Sequence, residues 1–265
     1  MDILERIVAD KRLEIAAANV AVPEGALREA ILTASAPRSL KNALSASGHG
    51  IIAEFKRKSP SRGWIHASLE PEQVVPQYAA AGAAALSILT DGPYFGGSLD
   101  YIRRVRGLVD LPILRKDFVI DPYQLLEARS VGADAVLLIA SCLTREECAV
   151  LLSEAHSLGL QVVLEIHTPE ELDYISPDVD VVGVNNRHLG SFVTDVEVSF
   201  RLADALREKV AGQERSPLLI SESGISEPQT LKELRSAGFS GFLMGERFMR
   251  EPDPGKALQA FLDTL

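Results

Sequence analysis

Short apolar runs that alternate with helical patterns fill the chain from residue 51 onward, and they restrict the folds that it can adopt. The runs are nearly all apolar rather than alternating, which is typical of strands buried on both faces of a parallel sheet. Eight runs are present, at residues 51–53, 85–89, 112–114, 135–139, 161–166, 179–184, 218–220 and 241–244. The pattern predicts eight strands, each followed by a helix.

Helix start and stop signals support this order. Capping-box spellings at 144–147, 168–171 and 226–229 each follow an apolar run, so they predict helices that begin after strands. Gly82, Gly132 and Gly238 stand just before the next run, where a helix-ending glycine is expected. Eight such units favour a single (β/α)8 barrel over an open doubly wound sheet, because the first turn has no G-x-G-x-x-G.

The first 48 residues read as a helical extension of this one domain, which spans residues 1–265. Ile3, Leu4, Ile7, Val8 and Ile15 recur at helical spacing, and Lys11 and Arg12 are expected on another face. Further helical pieces end near residues 33 and 46. An apolar face needs a surface to cover, so we expect this extension to lie over the barrel mouth.

Composition excludes several classes of partner. The 265 residues are 46% hydrophobic and 24% charged, with a formal net charge of -10, which disfavours binding to nucleic acid or to an anionic membrane. The basic residues Lys56, Arg57 and Lys58 therefore indicate a local pocket for a small anion. Cys142 and Cys148 lack zinc-site spacing and read as reduced thiols of a cytoplasmic protein. No apolar run is long enough to span a bilayer.

Polar side chains interrupt or follow six of the eight runs. They are Glu54 and Lys56, Arg115 to Asp117, Glu165, Asn185 to Arg187, Glu222 to Gly224, and Gly245 with Glu246. Strand ends meet at one face of a barrel, where active sites lie, so these groups are expected to converge. Glu165 stands inside an apolar run, and an unpaired buried carboxylate would cost several kcal/mol, so it needs a partner or a use. The alternative is a set of structural ion pairs at the rim.

Other features of the predicted mouth are less specific. Ser223–Gly224 and Gly245–Glu246 offer backbone N–H groups near helix starts, which favours phosphate binding, although tight turns alone would explain the glycines. Phe95 and Phe118 are candidate apolar walls for a planar ligand, or else lid packing. The five histidines show no metal-ligand spacing and are expected mostly at the surface or in turns, so no metal site is predicted.

Taken in order, several motifs resemble the indole-3-glycerol-phosphate synthase family over nearly the whole chain. The motifs are EFKRKSPS at 54–61, LTD at 89–91, YFGGS at 94–98, LRKDF at 114–118, DPYQ at 121–124, GVNNR at 183–187 and ESGI at 222–225. One departure is His188, where the family usually has Asp. It leaves Asn185 and Arg187 intact.

The resemblance implies conversion of 1-(2-carboxyphenylamino)-1-deoxyribulose 5-phosphate into indole-3-glycerol phosphate, CO2 and water without a cofactor. By similarity Lys116 is the general acid, and Lys56, held by Glu54, binds the substrate carboxylate and assists loss of hydroxyl. Glu165 and Glu54 are both candidates for the base. The resemblance also implies catalytic roles for Asn185, which orients substrate hydroxyls, and for Ser223. It implies substrate-binding roles for Ser59, Ser61, Phe95, Phe118, Arg187 and Glu222, and phosphate binding by Ser223, Gly224, Gly245 and Glu246.

Two other interpretations stay open at this point. One is another phosphosugar barrel, such as a Schiff-base aldolase or a phosphoribosyl isomerase. The other is an inactive barrel that binds a phosphorylated ligand. Association with other enzymes of tryptophan biosynthesis is not decided by the sequence.

Overall fold

The computed structural model describes residues 3–188, 190, 193–213 and 215–265. Its strands are β1 (Ile51–Phe55), β2 (Lys58–Ser59), β3 (Gly63–Trp64), β4 (Ala85–Leu89), β5 (Ile113–Lys116), β6 (Ala135–Ile139), β7 (Gln161–Ile166), β8 (Val181–Asn185), β9 (Leu218–Glu222) and β10 (Gly241–Met244). Within these residues, eight parallel strands close into a barrel in the order β1-β10-β9-β8-β7-β6-β5-β4. The predicted (β/α)8 barrel is confirmed.

Helices connect the barrel strands and cover their outer surface. The α-helices are α1 (Ile3–Ala21), α2 (Glu24–Thr33), α3 (Leu40–Ala46), α4 (Pro71–Ala81), α5 (Gly92–Phe95), α6 (Leu99–Arg106), α7 (Pro122–Ser130), α8 (Arg145–Ser157), α9 (Glu197–Val210), α10 (Pro228–Ser236), α11 (Glu246–Met249) and α12 (Pro254–Leu262). Two 3-10 helices span Ala140–Cys142 and Pro169–Tyr174. Across the described residues, no helix has the length and apolar character needed to cross a membrane.

Four strands run further than their apolar runs predict. β1 continues to Phe55, β5 to Lys116, β8 to Asn185 and β9 to Glu222. These extra residues carry polar side chains that pair with one another inside the barrel mouth, so the strand geometry continues where the apolar pattern stops. The apolar pattern predicts that a strand ends where hydrophobic residues stop. The hydrogen-bonded ladder continues past that point.

The helix signals are confirmed in part. Thr144 forms the predicted capping box at the start of α8, and Gly82 ends α4 with a φ of 98°. Thr168 also forms its capping box, but the element that it opens is a 3-10 helix rather than an α-helix. At 226–229 the predicted helix is present as α10, but the capping box is not: Pro228 is the first helical residue, so the N-cap position falls on Glu227, which makes no side-chain cap.

The N-terminal extension wraps the barrel from mouth to base. α1 places Ile7 in an apolar cluster with Phe118 and Ile139 near the C-terminal strand ends. α2 packs Leu27 against α7. The extension then reaches the opposite end, where the backbone N–H of Lys41 in α3 donates to the side chain of Gln161, the first residue of β7. Residues 1 and 2 of the predicted extension lie outside the described residues.

Candidate active site

A cavity of about 270 Å³ opens at the C-terminal ends of the barrel strands. Side chains from β1, β5, β7, β8 and β9 reach it, because alternate residues of a barrel strand point inward. The predicted site residues that line it are Glu54, Lys56, Phe95, Lys116, Phe118, Glu165, Asn185, Arg187, Glu222, Ser223, Gly224, Gly245 and Glu246. The barrel therefore brings together almost every residue that the sequence singled out.

Ser59 and Ser61 are the predicted site residues that do not line this cavity. After Lys56 the chain leaves the barrel and folds back as an antiparallel pair, β2 with β3, so these serines do not continue the inward alternation of β1. Ser59 is buried and Ser61 is exposed, with their hydroxyl oxygens 3.5 Å apart. Between them, Pro60 faces the cavity. Their predicted contact with substrate remains a prediction.

Lys116 is the centre of the charged group, and we call Lys116, Glu165 and Glu222 the Lys116 cluster. The Lys116 ammonium nitrogen lies 2.6 Å from Glu165 Oε2 and 3.1 Å from Glu222 Oε2. Burial disfavours the charged amine, but the carboxylates of Glu165, Glu222 and Glu54 outweigh that cost and raise the pKa of Lys116. The lysine therefore carries its proton at neutral pH.

The pKa values of the two carboxylates in the Lys116 cluster are shifted in opposite directions. Burial penalises the charge of both, but Lys116 and His167 hold the pKa of Glu165 down to about 2. Asn185 contributes by donating a hydrogen bond of 3.1 Å to Glu165 Oε1. For Glu222, burial and the nearby charge of Glu165 outweigh Lys116 and raise the pKa to about 7. Such a pair can hold a base and an exchangeable proton in one site.

Glu54 and Lys56 form the ion pair that their spacing on β1 predicts. Lys56 Nζ lies 2.6 Å from Glu54 Oε1, with the glutamate buried and the lysine half-buried at the cavity. Gly245 is required beside them, because a Cβ there would lie 2.6 Å from Glu54 Oε1. The absent side chain at residue 245 makes room for the Glu54 carboxylate.

The backbone after β9 turns sharply into the cavity. Ser223 and Gly224 have φ values of 67° and 78°, and Asn186 Nδ2 holds the turn by donating to the Ser223 carbonyl oxygen. A positive φ is strained for a serine, and such strain is typical of functional sites. Among the described residues, no acceptor takes the backbone N–H groups of 223–226. These donors are available to an anion.

Three arginines surround the carboxylate of Glu246 at the same end of the cavity. Arg187 Nη2 lies 3.0 Å from Glu246 Oε2 and Arg62 Nε 3.3 Å from Oε1, while Arg250 contacts Oε1. The predicted helix start is only partly right, since α11 is a single turn and no helix begins at Ser223. Because its carboxylate would repel an anion, any phosphate contact of Glu246 falls to its backbone.

Phe95 and Phe118 form one apolar side of the cavity. Their ring centroids are 6.1 Å apart and the rings are tilted by 41°. Leu137, Ile139 and Leu243 add aliphatic surface. The cavity therefore joins an apolar wall suited to an aromatic ring with a charged floor.

A second buried lysine lies beside the site, and the sequence analysis misplaced it. Lys11 Nζ is 3.0 Å from both Asp91 Oδ2 and Asp117 Oδ1, and we call these three residues the Lys11 cluster. Lys11 was predicted on a face away from the apolar residues of α1. It follows Ile7 by four positions, however, and residues four apart share a helix face, so the spacing already carried the signal.

His167 was also missed. Its side chain is 10% exposed and its Nε2 lies 3.4 Å from Glu165 Oε1, so it is neither a surface nor a free turn residue. Side chains two apart on a strand share a side, so the position of His167 after Glu165 was an available signal. The departure at His188 has little effect here, since its ring accepts a hydrogen bond from the Gly190 N–H and does not line the cavity.

The described residues contain no group of His, Cys, Asp and Glu side chains arranged to hold a metal ion. Cys142 and Cys148 form no disulfide, and burial raises the pKa of Cys148 to about 11. The arrangement is suited to proton transfer between carboxylates, lysines and a bound anion.

Comparison with known proteins gives one consistent family. The family model described as indole-3-glycerol phosphate synthase matches residues 4–261. A protein of that name from Bacteroides thetaiotaomicron is 56% identical over 264 residues, which cover 100% of this chain and 99% of the relative. Another from Carboxydothermus hydrogenoformans is 43% identical over 267 residues, covering 98% of this chain and 99% of the relative.

Solved structures resemble the chain in fold. A tryptophan synthase alpha chain from Legionella pneumophila has a TM-score of 0.59 at 15% identity, over 85% of this chain and 93% of that one. A mutant tryptophan synthase alpha-subunit from Pyrococcus furiosus also has a TM-score of 0.59 at 15% identity, over 81% of this chain and 98% of that one. At this identity the likeness extends to the barrel fold alone.

Proposed function

The chain belongs to the indole-3-glycerol phosphate synthase family, and from this premise we propose that the charged residues of its barrel mouth carry out the ring closure. The reaction is that of a carboxy-lyase acting on a phosphorylated small molecule. It converts 1-(2-carboxyphenylamino)-1-deoxyribulose 5-phosphate into indole-3-glycerol phosphate, CO2 and water. The observation that carries the proposal is the position of Lys116, 2.6 Å from Glu165 and 3.1 Å from Glu222.

Substrate binding uses opposite charges at both ends of the ligand. Lys56, fixed by Glu54, binds the substrate carboxylate, and the aromatic ring lies against Phe95 and Phe118. The phosphate is held by the backbone N–H groups around 223–226 and 245–246, with Arg187 supplying charge. Asn185 orients the hydroxyl groups of the chain between them.

Lys116 acts as the general acid of the first step. The ring carbon that bears the carboxylate attacks the ketone carbon, the new C–C bond forms, and the carbonyl electron pair moves to oxygen. Lys116 donates its proton to that oxygen. An alkoxide is more basic than an amine, so an ammonium with a raised pKa still has a driving force for this transfer.

Loss of CO2 and of hydroxyl completes the reaction. The C–C bond to the carboxylate breaks, CO2 leaves, and its electron pair restores the aromatic ring. Lys56 then donates a proton to the hydroxyl, which leaves as water. A base removes the proton from the neighbouring carbon, and the double bond of the indole forms.

We assign that base to Glu165, with Glu54 in the supporting role of holding Lys56. While Lys116 is charged, the pKa of Glu165 is low and its carboxylate is a weak base. Once Lys116 has given its proton to substrate, the charge that lowered this pKa is gone and Glu165 becomes more basic. Glu222, with a pKa of about 7, can exchange protons with solvent and reset the Lys116 cluster.

A Schiff-base mechanism fits this geometry less well, because an imine-forming lysine must lose its proton and Lys116 is bracketed by carboxylates that retain it. The test is to incubate the purified chain with substrate, follow indole fluorescence, and repeat with sodium borohydride. We expect indole product without borohydride and no mass increase on the protein with it, because borohydride also reduces the ketone of free substrate. A borohydride adduct on Lys116 or Lys56 would overturn the assignment.

We also propose a cytoplasmic location, in keeping with two cysteines that form no disulfide and a net charge of -10. On the same grounds nucleic acid and membranes are not partners. Residues 1–265 act as one domain, and within the extension 1–48 it is α1 that lies at the mouth and adds to substrate affinity.

A further inference from the structure

His167, which directly follows β7, lies between two carboxylates. Its Nε2 is 3.4 Å from Glu165 Oε1, and its Nδ1 is 3.7 Å from Glu171 Oε2. Both nitrogens are buried, and neither is aligned for a hydrogen bond within the described part of the chain. His167 does not line the cavity, so it reaches the reaction only through Glu165.

The two facing carboxylates select one protonation state of this ring. A neutral imidazole has one N–H donor and one lone pair, so either tautomer would point a lone pair at a carboxylate oxygen. Only the imidazolium presents an N–H to both sides. Although burial disfavours the charge, Glu171 and Glu165 together raise the pKa of His167.

Glu171 holds the ring from the side away from the cavity. Its Oε2 accepts hydrogen bonds from the backbone N–H of His167, at 2.5 Å, and of Thr168, at 3.2 Å. The bond from Thr168 belongs to the capping box that opens the 3-10 helix Pro169–Tyr174. The carboxylate that pairs with the ring is therefore fixed by the backbone.

We propose that His167 is a positioning residue that, as an imidazolium, holds Glu165 ionised and thereby keeps the acidic proton on Lys116. A lysine and a glutamate 2.6 Å apart with little water can collapse to a neutral pair when the proton passes from nitrogen to oxygen. A second positive charge on the other oxygen of Glu165 opposes this transfer. The inference rests on the proposed role of Glu165 as the base.

The charged groups around the ring come from several elements. Glu165 belongs to β7, Glu171 to the 3-10 helix, and Glu222, which also acts on the His167 charge, to β9. Lys116 of β5 contacts Glu165 Oε2, the oxygen opposite to the one that faces His167. Removing the imidazolium should therefore raise the pKa of Glu165, with Lys116 and the Asn185 hydrogen bond left to oppose the change.

The kinetic test compares pH profiles of kcat/KM for the unchanged chain and His167→Asn. Activity is lost as pH falls through the pKa of the base, so a raised pKa moves the acid limb upward, by about one pH unit or more. KM should stay nearly unchanged. His156→Asn is the matched control, because that histidine pairs with Asp180 at 2.9 Å on the outside of the barrel. Its acid limb should not move.

Nuclear magnetic resonance of 15N-histidine gives a readout that is independent of turnover. At pH 7.5, above the ordinary imidazole pKa of about 6.5, the His167 ring should show two protonated nitrogens. Glu171→Gln keeps the shape of the capping side chain and should shift the loss of the ring proton to lower pH. This variant serves if His167→Asn does not fold.

A neutral His167 ring at pH 7.5, or an acid limb that moves equally in His156→Asn, would overturn the inference. If the unchanged chain forms no indole product, the proposed function fails by itself, and the resonance experiment still decides the charge of His167. If Glu165→Gln keeps full turnover, the assignment of the base fails, and the inference that rests on it fails as well.

Discussion

Two lysines at the barrel mouth each pair with two buried carboxylates, yet their surroundings differ, and Lys11 also pairs with the exposed Glu14 at 2.9 Å. In the Lys11 cluster, Asp117 also pairs with Arg115 at 3.1 Å and accepts from the Thr90 hydroxyl, while Asp91 accepts from two backbone N–H groups at the start of α5. In the Lys116 cluster, neither oxygen of Glu222 is aligned for a hydrogen bond within the described residues. A saturated network stabilises structure, and an unsaturated one beside a cavity is available for chemistry.

The largest effect should follow from removing the ammonium group of the Lys11 cluster. Lys11→Met leaves Asp91 and part of Asp117 buried without a cation, which should cost about 3 to 5 kcal/mol of unfolding free energy. Urea denaturation at pH 7 measures it, with Lys232→Met on the exposed face of α10 as control. A stability equal to that of the control would show that the Lys11 cluster is not structural.

The next largest effect concerns the Lys116 cluster and should appear in kcat. Glu165→Gln removes the proposed base, so kcat should fall by roughly a hundredfold or more, with a smaller change in KM. Glu233→Gln, an exposed glutamate of α10, is the control. Retention of kcat in a folded Glu165→Gln protein would transfer the role of base to Glu54 or Glu222.

Stability should depend on pH with opposite signs at Asp117 of the Lys11 cluster and at Glu222 of the Lys116 cluster. Arg115 and Lys11 overcome burial and hold the pKa of Asp117 at about 2, below its ordinary 3.8, so its contribution is present above 3.8 and is lost as pH falls toward 2. The pKa of Glu222 is raised from 4.5 to about 7, so its cost develops as pH rises between those values. Above pH 7 the fold is therefore weakened by Glu222.

Two variants check these signs by urea denaturation. Glu222→Gln should gain up to about 3 kcal/mol relative to the unchanged chain between pH 4 and pH 8. Asp117→Asn should lose about 2 kcal/mol more at pH 6 than at pH 2. If the stability of the two variants, relative to the unchanged chain, changed with pH in the same direction, Asp117 and Glu222 would have pKa shifts of the same sign.

A smaller effect is expected from the arginines around Glu246, whose pairs are more exposed than either lysine cluster. Arg187→Gln should raise KM and the inhibition constant of inorganic phosphate by about tenfold, the loss of one charge-assisted contact. Arg201→Gln, whose exposed pair with Asp195 lies outside the cavity, provides the comparison. A change in kcat alone would place the phosphate elsewhere.

Most of the fold was predictable because the barrel strands are buried on both faces. Eight apolar runs coincide with the eight barrel strands, and the polar residues that the sequence places at the ends of these runs continue strands such as β5 and β9. The strand-end positions of Lys116 and Glu165 then sufficed to place them at one mouth. The other site residues within the motifs were predictable because they also stand at strand ends.

The remainder depends on contacts between distant parts of the chain. The burial of Lys11 is not predicted, because its partners, Asp91 and Asp117, are far away in sequence. The hairpin that removes Ser59 from the cavity follows from pairing with Gly63, which no local pattern specifies. The opposite pKa shifts of Glu165 and Glu222 arise from geometry around a single ammonium, and composition does not encode that geometry.

The most direct test of the account is the turnover of Lys116→Met, which keeps the side-chain length and removes the proton. We expect kcat to fall by roughly a hundredfold or more while KM changes little, whereas Lys56→Met should raise KM as well as lower kcat. Near-normal kcat in a folded Lys116→Met protein, together with a loss of kcat alone in Lys56→Met, would contradict the account and exchange the roles of the two lysines.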